Sequence, residues 1–99
     1  MIAHLVGWTL TATDDAERDA AAEAIRDALE SLVGVVPGLL ELTVRRNAVD
    51  VDGNSDIALR SRFVDERALR DYIVHPAHQA AVRVVRAHTS GRWAIDLAD

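Results

Sequence analysis

The residue types best suited to chemistry fall in one short run, Tyr72-Ile73-Val74-His75-Pro76-Ala77-His78. An imidazole has an unperturbed pKa of about 6.5, so His78 is able to take a proton near neutral pH. A phenol such as Tyr72 is able to donate a hydrogen bond to a developing oxyanion. An aldol or retro-aldol step needs both: a base at an acidic C–H and a donor for the oxygen that gains charge. Other chemistries are closed to this chain. All eleven basic residues other than histidine are Arg, and Cys is absent. Lysine Schiff bases, lysine-anchored pyridoxal phosphate, thiolate nucleophiles and P-loop lysines are therefore excluded. Pro76 interrupts any helix between Tyr72 and His78, so helical spacing does not bring the two together. The plain alternative is a core tyrosine and a surface or capping histidine.

His4 shares a strand face with Val6 and Trp8. A hydrogen-bonded structural histidine is the first reading, and pocket lining the second. His75 precedes Pro76 and reads as a helix cap or terminator. His75 and His78, three apart, would supply two metal ligands, but no third follows, and neither a metal nor a cofactor is expected. Neither a Gly-rich nucleotide fingerprint nor a Gly-x-Ser-x-Gly elbow is present. Trp8, Phe63 and Trp93 fall on apolar strand faces, which makes them core residues or pocket walls.

The elements that must position these residues follow from hydrophobic period. Residues 2–10 read as a central strand, with Ile2, His4, Val6, Trp8 and Leu10 on one face and Ala3, Leu5, Gly7 and Thr9 on the other. Asp14 caps a helix, with Glu17 in capping-box spacing. Ala21, Ile25, Ala28, Leu29 and Leu32 form its apolar stripe, and Gly34 and Pro37 end it. Leu40, Leu42 and Val44 mark a second strand, Asp52-Gly53-Asn54 a turn, and Ile57, Leu59, Ser61 and Phe63 a third strand. Asp65 caps a second helix carrying Ala68, Leu69, Tyr72 and Ile73. Pro76 breaks it and starts a third, with Ala81, Val82, Val84 and Val85. Trp93, Ile95 and Leu97 alternate with Ala94 and Asp96 in the last strand. The order predicts an α+β fold: a ferredoxin-like βαββαβ arrangement with its second helix split, the helices lying on one face of a four-stranded antiparallel sheet.

Ninety-nine residues make one domain, 1–99, with a modest core that self-association would help. A net charge of −5 without a basic stripe disfavours nucleic acid. No run approaches the ~20 apolar residues of a membrane span, and the N-terminus carries no signal-like segment, so the expected location is cytoplasmic. Helices on one side leave the other sheet face open. Ala3, Leu5 and Gly7 there suggest a partner, whereas Arg60, Arg62 and Asp96, assigned to the same face, suggest water. Pattern alone leaves a monomer with one wet face and a dimer with an ion-paired seam both standing.

Three segments carry a family resemblance: His4-Leu5-Val6-Gly7-Trp8, the run from Phe63 into Asp65-Glu66-Arg67-Ala68-Leu69, and Tyr72-Ile73-Val74-His75-Pro76-Ala77-His78. Together they resemble the stress-responsive α/β-barrel (Dabb) family over nearly the whole chain. The resemblance implies a homodimeric α+β barrel, two sheets packed face to face, with a cavity between sheet and helices in each subunit. It implies a small hydrophobic or polyketide-like ligand. In the family's polyketide cyclase branch, the residues matching Tyr72 and His78 are catalytic in an aldol cyclisation, and that matching His4 lies near the pocket. The chain departs from that branch at Ile57, where the cyclase has a histidine, and along the first helix, where alanines and Ile25 replace aromatics. The expected site is therefore Tyr72 and His78 as catalytic pair, with His4, Val6, Trp8, Ile25, Leu59, Phe63 and Trp93 lining the pocket. The alternatives are a binding protein of the Dabb type, an aldol-type cyclase or lyase, and a cofactor-independent monooxygenase. The last calls for an aromatic-lined pocket, toward which the chain offers two Trp, one Tyr and one Phe.

Overall fold

The computed structural model describes residues 1–99. Its elements run β1 (Ile2–Leu10), α1 (Asp15–Glu30), β2 (Leu39–Arg46), β3 (Ile57–Phe63), α2 (Glu66–Val74), α3 (Pro76–His88) and β4 (Thr89–Ala98). The four strands form one antiparallel sheet in the order β2-β3-β1-β4. This is the ferredoxin-like α+β arrangement that the residue pattern predicts, with its second helix split at Pro76.

Local chemistry sets the helix ends. The Asp14 carboxylate accepts from the Glu17 amide at 2.8 Å, and the Asp65 carboxylate from the Ala68 amide at 2.8 Å. His75 is extended (φ −66°, ψ 135°) and ends α2. Its Nδ1 then accepts from the Ala77 amide at 3.0 Å, capping α3, while Pro76 occupies the first helical turn. α1 stops at Glu30, and Leu32 is buried from the turn that follows rather than from the helix itself.

The helices cover one sheet face. Val6, Trp8 and Leu10 of β1, Leu42 and Val44 of β2, and Ile57, Leu59 and Phe63 of β3 are buried beneath Ala21, Ile25 and Leu29 of α1, Leu69 and Tyr72 of α2, and Val85 of α3. Each large apolar side chain so buried contributes about 1.5–3 kcal/mol. Asp56 secures the far end of β1: its carboxylate accepts from the Leu10 amide at 2.8 Å and pairs with Arg18 at 3.1 Å.

The fourth strand corrects two expectations. The apolar alternation of Trp93, Ile95 and Leu97 predicts that they face the helices and that Asp96 faces out. The register is the reverse. Asp96 lies opposite His4 and Ala94 opposite Val6, on the helix side, whereas Leu97, Ile95 and Trp93 lie opposite Ala3, Leu5 and Gly7 on the open side. β4 is an edge strand whose inner face borders a cavity rather than packed core, so small and polar residues point inward there. Its apolar row is left 44–48 % exposed on the outer face. That face therefore carries a coherent apolar stripe along β1 and β4, and its charged residues, Arg60 and Arg62 of β3 with Glu41 and Arg45 of β2, lie on the other half of the sheet. Gly7 belongs to this stripe because the Trp93 indole lies across it; a Cβ there would stand 2.1 Å from Trp93 Nε1.

Candidate active-site cavity

A cavity of about 720 Å³ opens between the inner face of β1 and β4 and the helices α2 and α3. Its buried walls are His4, Val6, Trp8, Leu29, Leu59, Tyr72 and Val85. Gln79, Arg86, Arg92 and Asp96 line it from exposed positions. The cavity thus has an apolar floor, a cluster of hydrogen-bonding rings, and a charged rim.

The split helix assembles that cluster. α2 directs Tyr72 inward, where its ring meets Phe63 edge-on at 4.9 Å between centroids and His4 at 6.3 Å. The extended residue His75 interrupts the helix, and the first turn of α3 sets His78 against Tyr72 with ring centroids 4.1 Å apart and planes tilted by 37°. The structure therefore joins two residues that helical spacing leaves unrelated. His78 Nδ1 lies 3.1 Å from the Ile73 carbonyl. A carbonyl only accepts, so Nδ1 carries the hydrogen and Nε2 keeps its lone pair. The Tyr72 side chain is 1 % exposed. Its hydroxyl has no protein partner, yet no buried side-chain polar atom is left unsatisfied, so its tip is open to the cavity.

On β1, His4 Nδ1 contacts Asp96 Oδ1 at 2.5 Å, from opposite positions of the β1–β4 ladder. The carboxylate accepts and His4 donates, which fixes the ring and leaves Nε2 without a protein partner. The hydrogen-bonded reading of His4 thus has a specific partner, one that the misassigned face of β4 conceals.

A family model described as Stress responsive A/B Barrel Domain, Dabb, matches residues 2–99. The chain belongs to the Dabb family. Among solved structures, this Dabb chain is similar to a dimeric protein of unknown function and ferredoxin-like fold from Bacteroides fragilis, at 23 % identity and TM-score 0.82, covering 97 % of this chain and 93 % of that one. It is similar to a dimeric ferredoxin-like protein of unknown function from Jannaschia sp., at 28 % identity and TM-score 0.74, covering 99 % and 98 %. It shares its fold with SnoaB, a cofactor-independent oxygenase from Streptomyces nogalater, at 14 % identity and TM-score 0.69, covering 99 % and 91 %. No curated protein matches it in sequence.

Of the residues expected to line the Dabb pocket, His4, Val6, Trp8 and Leu59 do so together with Tyr72 and His78. Ile25 and Phe63 do not: both are wholly buried, packed in the core beneath the cavity rather than at its surface. Trp93 does not either, since it lies on the outer sheet face, where its indole N–H donates to Ser55 Oγ at 2.6 Å. Asp96, Gln79, Arg86 and Arg92 escape sequence reasoning, because nothing in their spacing marks the cavity face of an edge strand or the lip of α3.

Electrostatics divides the roles. Burial lowers the pKa of His78 below the ordinary histidine value, against the upward pull of the Ile73 carbonyl; the neighbouring His4, Arg92 and His75 lower it further. His78 is therefore a neutral imidazole at pH 7, a base with its lone pair available. Burial pushes the Tyr72 phenol well above its ordinary value, so it stays protonated. A phenol held this way is a hydrogen-bond donor, and losing its proton outright is costly.

Proposed function

We propose that this Dabb protein is a homodimer whose cavity binds a small molecule with an apolar body and performs acid–base chemistry at an acidic C–H beside a carbonyl. Neutral His78 Nε2 takes the C–H proton. The carbanion, delocalised as an enolate, attacks a second carbonyl of the same chain, and a C–C bond forms. Tyr72 donates a hydrogen bond to the enolate oxygen as it gains charge, and the His78 imidazolium returns the proton to the alkoxide that the attack produces. Atoms balance without an external reagent, and the reverse sequence is a lyase. The single observation that carries this reading is the pairing of a free His78 lone pair with an unpartnered Tyr72 hydroxyl in one cavity, their rings 4.1 Å apart.

The reading of a homodimer rests on the outer face. Trp93, Ile95 and Leu97 form an exposed apolar row beside Leu5, the kind of patch that a partner covers. Two of the similar structures are described as dimeric. A second copy packed sheet to sheet would close the barrel and leave each cavity on the helix side.

Deuterium exchange tests the chemistry. A series of 1,3-diketones with alkyl tails of increasing length is incubated with the protein in D2O and followed by proton NMR. Exchange of the central C–H above the buffer rate, lost in His78→Ala, supports the reading. Buffer-rate exchange across the series removes the acid–base function.

A further inference from the structure

The cavity lip carries positive charge that the fold does not use. Six of the eleven arginines, Arg18, Arg26, Arg45, Arg46, Arg62 and Arg70, are paired with carboxylates. Arg86 and Arg92 have neither a salt bridge nor a side-chain hydrogen bond, and both line the cavity from exposed positions. The β-ladder explains Arg92: it lies opposite Trp8, so it shares the inner face of β4 with Ala94 and Asp96. Its charge also reaches His78, whose protonation it opposes. Arg86 stands in the last turn of α3, a position that a cation favours for its own sake, but it too borders the hollow. The one carboxylate lining this cavity, Asp96, is occupied by His4. The floor beneath is Val6, Leu29, Leu59 and Val85. Arg60, Arg67 and Arg83 are unpaired as well, but of the five free arginines only Arg86 and Arg92 stand over this apolar floor.

We infer that the ligand is an amphiphile with an anionic oxygen group, a carboxylate or a phosphate, held by Arg86 and Arg92 while its apolar chain fills the cavity. This rests on the cavity being the ligand site, as proposed above. A guanidinium matches either oxyanion with parallel N–H donors, and exposed yet unpaired side chains are free to do so. The apolar chain then runs inward toward Tyr72 and His78, with the acid group left at the solvent edge.

The test compares decanoate, decyl phosphate and decanol, each below its aggregation concentration, by isothermal titration calorimetry on the full chain and on the Arg86→Gln/Arg92→Gln double variant. Both substitutions are at exposed positions, and retained decanol binding shows that the cavity is intact. The expected result is that one or both anions bind about tenfold or more tighter than decanol, with the advantage gone in the double variant and decanol unchanged. The tighter of the two anions identifies the group. Equal binding of anions and alcohol overturns the anionic class while leaving the cavity site standing. Binding of no probe overturns the cavity site and, with it, this inference.

Discussion

His4 and Asp96 face each other across the β1–β4 ladder, with Nδ1 and Oδ1 2.5 Å apart. His4 is buried and the Asp96 side chain is about half exposed, so the pair aims the imidazole Nε2 at the cavity from a strand rather than from a loop. Strand backbones hold such geometry more tightly than loops do. Asp96→Asn leaves the ring a neutral acceptor and removes the charge that orients it. Chemical denaturation is expected to register less than about 1 kcal/mol, since the carboxylate is so exposed. The diketone exchange rate falls several-fold. A loss of stability far above that, with exchange untouched, would make the pair purely structural.

Tyr72→Phe separates catalysis from packing. The hydroxyl has no protein partner and the ring packs on Phe63, so removing the oxygen creates no orphaned group. Stability is expected to change by less than about 1 kcal/mol. Exchange is expected to drop by about 10²-fold, the usual consequence of losing one oxyanion donor. Urea titration alongside rate measurement checks both halves.

The lowered pKa of His78 has a sign. The unfolded chain titrates near the ordinary value of about 6.5 and binds more protons than the folded chain just below it. Stability from this group is thus full above pH 6.5 and declines as pH falls toward the folded pKa. His78→Gln should flatten that part of the stability profile. In parallel, the exchange rate should be flat at neutral pH and fall on acidification, following the NMR titration of the His78 ring. A titration midpoint above 6.5 would contradict the desolvated environment.

Trp93→Asp places a charge in the apolar row of β4, beside Ile95 and Leu97. Light scattering is expected to show a dimer for the parent chain and a monomer for the variant, with the fold retained because the indole is 46 % exposed and packs outside the core. A monomeric parent at high micromolar concentration removes the sheet-to-sheet barrel.

The fold was legible because its signals are local. Asp14 and Asp65 precede amphipathic runs, Pro76 both ends and begins a helix, and β3 alternates cleanly from Ile57 to Phe63. The contact between Tyr72 and His78 is not legible from spacing, because it depends on the angle at which α3 leaves the His75 break; family resemblance implies the pair, and the fold gives it its geometry. β4 misled for a physical reason. Alternation identifies two faces but not which one is inner, and apolar residues mark the inner face only when core lies there. With the cavity on one side and an uncovered surface on the other, the rule inverts, and Asp96 is transferred from an outer ion pair to the side chain that holds His4.

The most direct measurement is a crystal structure of the protein with an alkyl-tailed 1,3-diketone bound. The acid–base mechanism places the ligand in the helix-side cavity, one oxygen about 3 Å from the Tyr72 hydroxyl and the central carbon about 3.5 Å from His78 Nε2. A ligand seated on the outer sheet face, or a filled cavity with Tyr72 and His78 turned apart, would contradict it.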